Sequence, residues 1–300
     1  MATLQSINRL DLDRKPEDTF KKRSPLDFLV EALLWIPLII MALIEFLPIS
    51  WLFANSLRSP SEAFKLPPSF WPTDFQWSNY LAVINSPNIN FPLFFVNSLK
   101  IAVIVTVATI LTCSLAAFAF SRLRFPGRNA LFFLFLATMM VPGTVVLIPT
   151  FIIMSRLGLI DSHWALILPG LTSAFGIFML RQQFMSIPEA LMDAAKIDGA
   201  GYVRIFFQIM LPLVGPGLSA LGIITFLGSW NNLMMPLLYL RTNDKFTFPL
   251  AIVVLQGYMG SGNRAHVLAG IMISVAPVLL FFLLAQRFII QGFTVSGLKG

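Results

Sequence analysis

Charge, cysteine and histidine are scarce in this sequence. Aspartate, glutamate, lysine and arginine make up 12% of its 300 residues, where a soluble globular domain carries about 25%. So few charges cannot cover a water-facing surface of ordinary size, and the solvent of this chain is largely lipid. Cys113 is the only cysteine, so no disulfide can form within the chain and its thiol says nothing of the compartment. His163 and His266 are the only histidines and have no cysteine or carboxylate cluster near them, which argues against a metal site. No nucleophile–base pair, HExxH run or paired carboxylates stand at a useful spacing, which argues against an intramembrane enzyme. A phosphate loop is missing too. Gly292 and Gly297 have the separation of one, but Lys299 does not directly follow Gly297 and no Ser or Thr comes after it. Any energy from ATP must therefore enter through another polypeptide.

Apolar residues are what the sequence has in quantity: 57% of the total, with 29 phenylalanines. A bilayer core of about 30 Å takes about 20 apolar residues in a helix. Six stretches reach that length, at about 28–54, 92–120, 129–155, 163–185, 209–240 and 265–290. No ten-residue alternation recurs, which excludes a barrel, and backbone groups in lipid must pair internally, which predicts helices. Prolines 37, 48, 142, 149, 169, 216, 236 and 277 fall inside these stretches. Breaks of that kind are tolerated where neighbours or a polar cavity satisfy the freed carbonyls. The expectation is an all-α integral membrane protein of six spans, preceded by a segment 1–27 and followed by a tail 291–300.

The net charge of +7 sorts around the apolar runs and forms no stripe interleaved with aromatics, which argues against nucleic acid. With the N-terminus inside, fourteen Lys and Arg residues fall on the cytoplasmic side and seven on the other. That bias predicts both termini in the cytoplasm. The first apolar run is too long for a cleaved signal and is expected to persist as a helix. The run 246–259 is apolar but about fourteen residues long, which suits a re-entrant or interfacial element better than a span.

The informative segment is the expected cytoplasmic loop 186–208. Ser186 and Glu189 have the spacing of a capping box, with Pro188 placed in a first helical turn. A short helix through Asp193, Ala194, Ala195 and Lys196 follows, and Gly199 after Asp198 supplies a left-handed turn. A second helix starts near Gly201 and enters the membrane near Ile209, bent by Pro212 and Pro216. Ala194 and Ala195 leave the first helix slim on one side, suited to lying in a partner's groove. An ordinary loop helix has the same periodicity.

The run Asp193-Ala194-Ala195, Asp198-Gly199-Ala200, Phe206, Ile209 and Leu211-Pro212 resembles the EAA loop of binding-protein-dependent ABC importer permeases. Asp193 departs from it, since the pattern usually has Glu there. Further similarity runs over nearly the whole chain and points to the maltose-transporter, MalG-like, branch of sugar permeases. It is carried by Asn97-Ser98-Leu99, Met140-Val141-Pro142, Leu157-Gly158-Leu159-Ile160, Trp230-Asn231-Asn232 and the end GFTVSGLKG. The resemblance implies a type I ABC importer permease fold in the cell inner membrane and a share in ATP-driven sugar uptake. It implies as partners a second, MalF-like permease, two ATPase subunits that bind ATP and Mg, and an extracytoplasmic solute-binding protein. ATPase coupling then falls to Glu189, Asp193, Ala194, Ala195, Asp198, Gly199 and Ala200, and the tail with Gly297 and Lys299 reaches the ATPase interface. No cofactor is expected in this chain.

Four residues are pathway or gate candidates. Glu45 is a carboxylate in an apolar run, where a charge is expensive unless it faces the pathway, the headgroups or a neighbour. Trp230, Asn231 and Asn232 combine an indole with amides, and packing or gating is favoured over direct sugar contact. The alternative for the whole chain is an ion-driven secondary transporter, which would leave the cytoplasmic loop without a task.

Overall fold

The computed structural model describes residues 25–59, 62, 69–86, 89–259 and 264–296, all as helices and their connections. The expected tail residues Gly297 and Lys299 lie outside the described residues, as does most of the segment 1–27.

The chain divides into two compact units, up to Trp51 and from Leu52 onward. The described part of the first is helix α1 (Pro25–Ser56), which carries Pro37 and Pro48 inside it and continues into the second unit. From Leu33 to Ile49 its large apolar side chains are exposed. A helix apolar all round is the expected reading for lipid as solvent.

In the second unit, α2 (Ser78–Ile84) precedes α3 (Phe91–Arg122), a helix of 32 residues, about 48 Å long at 1.5 Å per residue. Then come α4 (Arg128–Thr138), α5 (Gly143–Arg156), α6 (Trp164–Ile167) with a 3-10 turn at Leu168–Gly170, α7 (Ala174–Ser186) and α8 (Glu189–Ile197). After α8, α9 (Tyr202–Ile205), a π-helical turn Phe206–Met210 and α10 (Leu211–Leu213) run on as one helix. The chain closes with α11 (Gly215–Trp230), α12 (Met234–Tyr239), α13 (Phe248–Met259) and α14 (Arg264–Ser296).

Four helical stretches are long and apolar enough to cross a membrane, and the number reaches six if each of two bent pairs is one crossing. The bends lie where proline demands them. α4 and α5 meet at 99° across Met139–Pro142, where Pro142 lacks the N–H that would continue the ladder and pushes the residue before it out of the helical region. The helix Tyr202–Leu213 and α11 meet at 78° beside Gly215-Pro216. The stretch expected at 209–240 is thus three pieces, since the chain also breaks between Trp230 and Met234.

Breaks free backbone groups, and α3 supplies partners for them. The Thr109 hydroxyl donates to the Gly170 carbonyl at 2.6 Å, and the Thr112 hydroxyl donates to the Leu171 carbonyl at 2.5 Å. Ser173 N–H donates to the Cys113 sulfur at 3.3 Å, and Ser173 Oγ in turn accepts from Gly176 N–H at 3.1 Å as the cap of α7. Close approach of three helices makes this possible. A Cβ on Gly176 would stand 2.9 Å from Leu221 Cδ1 and 3.0 Å from Cys113 Sγ, the small-residue contact that lets helices meet in lipid.

Two apolar clusters lie toward the two ends of α3. At the Arg122 end, Phe118, Phe184 and Phe206 bring their rings within 6.5 Å of one another. At the Phe91 end, Phe91 and Phe94 pack with Phe248, Ala251 and Leu255 of α13. The apolar run 246–259 is therefore a short helix seated on the start of α3.

Beside that seat a clamp joins two loops. Asp161, at φ +60°, accepts at Oδ1 from the N–H groups of Arg241 and Thr242, both at 2.9 Å. Its Oδ2 accepts from the Thr242 hydroxyl at 2.5 Å and from Lys245 Nζ at 2.9 Å. His163 Nε2 donates to the Lys245 carbonyl at 2.8 Å. Asn97 Nδ2 donates to the Asp244 and Phe246 carbonyls at 2.9 and 3.1 Å, and Phe248 N–H donates to Ser98 Oγ at 2.7 Å. Asn97 and Ser98 thus tie the loop to α3.

The donors around Asp161, the Thr242 hydroxyl first and then the two backbone N–H groups and Lys245, hold its carboxyl far below the usual carboxylate range. A depressed carboxylate contributes stability above its unfolded pKa of about 3.9 and loses it as pH falls through that value toward the folded one. Amide-exchange protection at 241–246 is expected to hold from neutral pH to about 4 and to drop below it. Asp161→Asn, which lacks the charge, is expected to flatten that dependence.

Candidate functional site

Helix α7 continues through Ser186, whose hydroxyl donates back to the Gln183 carbonyl at 2.8 Å. The capping box expected of Ser186 and Glu189 is therefore absent. Ile187 is extended, at ψ 131°, as a residue before proline must be. Pro188 stands at the N-cap of α8 at ψ 135°, one residue before the first turn in which it was expected.

Helix α8 has Glu189 in its first turn and Lys196 in its last, both favourable to the helix dipole. Asp193 and Lys196 pair at 3.0 Å with most of the Asp193 side chain in the open, where such a pair adds little stability. The helix ends in a Schellman turn. Gly199 takes φ +79°, its N–H donates to the Lys196 carbonyl at 3.0 Å, and Ala200 N–H donates to the Ala195 carbonyl at 2.9 Å. Gly201 then caps α9. The expected helix–turn–helix bracket is present, with its turn at the expected glycine.

The bracket has two unlike faces. Met192 and Ala195 are buried in the cluster that holds Phe118, Phe184, Ile205 and Phe206. Glu189, Leu191, Asp193, Ala194, Asp198 and Gly199 are exposed, and Ala200 is half-buried. The two alanines expected to share a slim side are split by the helical turn, Ala195 inward and Ala194 outward. On either side of the turn, Ile197 and Val203 stand 87% and 73% exposed.

Arginines fasten the bracket's base. Arg122, buried at the end of α3, donates through Nη2 to the carbonyls of Phe184 and Ile187, the last turn of α7 and the residue before Pro188. Arg181 Nε donates to the Phe120 carbonyl at 3.2 Å, and its guanidinium lies 4.1 Å over the Phe132 ring. Helix C-termini leave four carbonyls unpaired, and a guanidinium there meets both the hydrogen-bond and the dipole demand. In the sequence Arg122 and Arg181 count only toward the charge bias around the apolar runs. Their partners are main-chain carbonyls, which leave no mark in a side-chain pattern.

The other expected residues lie elsewhere. Glu45 is exposed on α1. Trp230 is buried, donates Nε1 to the Ser274 carbonyl at 3.2 Å and stacks on Phe226 and Phe248. Asn231 is exposed, and Asn232 Oδ1 accepts from Met235 N–H at 3.1 Å at the start of α12. Among the described residues no three His, Cys, Asp or Glu side chains converge as a metal site would require.

A family profile described as "Binding-protein-dependent transport system inner membrane component" matches residues 108–291, which contain the whole bracket. The arabinooligosaccharides transport system permease protein AraQ of Halalkalibacterium halodurans is 35% identical over 282 residues, covering 93% of this chain and 99% of that protein. The sn-glycerol-3-phosphate transport system permease protein UgpE of Pectobacterium atrosepticum is 34% identical, covering 81% and 89%. The lactose transport system permease protein LacG of Rhizobium radiobacter is 38% identical, covering 68% and 74%. Among solved structures, a chain of a bacterial ABC transporter involved in the import of the acidic polysaccharide alginate superposes with a TM-score of 0.72 at 26% identity, covering 88% of this chain and 98% of that one.

Removing the Arg122 fork leaves two carbonyls without their donor, at about 1–3 kcal/mol for a group so stranded. Arg122→Met is expected to lower the thermal midpoint in detergent and to raise amide exchange at 187–192, whereas Arg122→Lys retains part of both. Calorimetry and mass-resolved exchange on the purified protein check it.

Proposed function

This chain belongs to the family of binding-protein-dependent transport system inner membrane components, and from that premise we propose that it is a permease subunit of an ATP-driven sugar importer. Half of the translocation pathway is formed by this chain, and a second permease forms the other half. Two ATPase subunits bind ATP and Mg, and a solute-binding protein delivers the sugar from outside. The solute is an oligosaccharide, glycoside or polyol. The chain hydrolyses nothing itself, since it has no phosphate loop of its own.

One observation carries the coupling role. The bracket 187–205 is fused to the helices by one face and offers the other, with Ile197 and Val203 bare beside the Gly199 turn. Exposed apolar side chains on a rigid, capped helix mark a docking surface. The bracket docks into a cleft on one ATPase, and closure of the ATPase pair on ATP moves it. Because Met192 and Ala195 are packed against Phe184 and Phe206 and the base is held by Arg122, the displacement passes to α3 and α7 as a rigid body. Access to the pathway then alternates. The excess of Lys and Arg on this side of the spans supports a cytoplasmic bracket and cytoplasmic termini, with Gly297 and Lys299 of the tail at the ATPase interface.

A bulky side chain at exposed Ala194 leaves the fold intact and blocks docking. Gly199→Val forces a β-branched residue into the left-handed region, at about 1–2 kcal/mol, and distorts the turn. Ala194→Trp and Gly199→Val are both expected to cut ATP-dependent sugar uptake tenfold or more, with wild-type expression and membrane insertion. Uptake assays on proteoliposomes holding the full complex, alongside co-purification of the ATPase, measure this. Wild-type uptake by both variants sinks the coupling role. Uptake that needs no ATPase and collapses with an ionophore establishes the ion-driven alternative instead.

A further inference from the structure

Halfway along α3, a cavity of about 360 Å³ opens between Thr109, the broken segment at Pro169–Ser173 and the end of α11. Its polar wall is made by Thr109, Thr172, Ser173, Thr225, Ser229 and Asn232. A second, smaller cavity of about 20 Å³ shares Ser229 and Asn232 as walls and continues to Ser98 and Thr247. Buried Thr247 has a hydroxyl with no hydrogen-bond partner.

We propose that this polar track is a transit subsite for an uncharged sugar ring, contributed by this chain itself. The proposal rests on the reading of the chain as a sugar permease and adds the charge class of the solute and the groups that meet it. Polar side chains at mid-depth in an apolar helical unit are costly unless something polar faces them. The hydroxyls of Thr225 and Ser229 have no partner among the described residues. Ser173 Oγ and Asn232 Oδ1 are used as acceptors for caps, which leaves the Ser173 O–H and the Asn232 NH2 free to donate. Sugar hydroxyls both donate and accept, so a ring in the cavity satisfies all four at once.

The wall contains no Lys, Arg, Asp or Glu. A phosphate or uronate carboxylate would lose its hydration there and find no counter-charge. Nor is there an aromatic ring among the lining residues to stack on a sugar face. Hydrogen bonds alone make the subsite one of passage, which suits a permease that must release what it admits. The volume lies at the small end of about 300–1,000 Å³ for small-molecule sites, room for a single ring. Gly228 stands at the mouth, where an added Cβ meets nothing within 4 Å.

The test uses the complete transporter in proteoliposomes with ATP and four probes: arabinotriose, lactose, sn-glycerol-3-phosphate and an alginate trimer. Uptake is expected of a neutral probe and of neither anion. Ser229→Ala, Thr225→Val and Asn232→Asp, which keeps the cap acceptor, are each expected to lower maximal uptake per ATP hydrolysed about fivefold, one hydrogen bond's worth. Gly228→Phe, which plugs the mouth, is expected to abolish uptake while the subunits still co-purify. If that variant fails to assemble, Ser229→Ala and Thr225→Val decide. Import of an anionic probe as fast as the neutral ones, or wild-type coupling in Ser229→Ala and Thr225→Val, overturns the subsite. ATP-dependent uptake of none of the four overturns instead the reading of the chain as a sugar permease, and the subsite with it.

Discussion

Inside a bilayer a peptide carbonyl has no water to turn to, and every break in a helix must be matched by a donor from a neighbour. The helix that supplies most of them here is α3. Its threonines at 109 and 112 take up the carbonyls of Gly170 and Leu171, and its arginine at 122 takes up those of Phe184 and Ile187. Asn97 donates to carbonyls of the loop before α13, and Ser98 accepts from the first N–H of α13 itself. The breaks are tolerable because one unbroken helix runs past them with side chains of the right reach.

That arrangement also joins elements that lie far apart along the chain. The bracket, the α7 break and the clamp around Asp161 are all tied to the same rod, at its end, middle and beginning. Met192 and Ala195 of the bracket share one buried cluster with Phe118, Phe184 and Phe206. The π-helical turn Phe206–Met210 and the 78° bend after it fall where the bracket runs on into α11.

Much of this was legible in the residues. Long apolar runs, the charge bias around them and the turn glycine at 199 follow from local chemistry, and the left-handed turn falls on that glycine. Proline positions announced the breaks, but the 99° between α4 and α5 depends on how the neighbours pack and has no local signature. Ser186 misled because the preceding helix ran further than expected and took the serine for itself. Asn97-Ser98 and Asn232 were visible as a family likeness, while their work as tethers and caps needed partners some 150 and three residues away. The cavity wall comes from three segments distant along the chain, and no single stretch hints at it.

The setting of Cys113 has a practical side. Its sulfur is fully enclosed between Gly176 and the Ser173 backbone, so the one thiol of the chain is shielded from maleimides, peroxide and glutathione alike. A cysteine placed anywhere on its surface would be the sole reactive one, and this permease comes with a natural blank background for site-directed labelling.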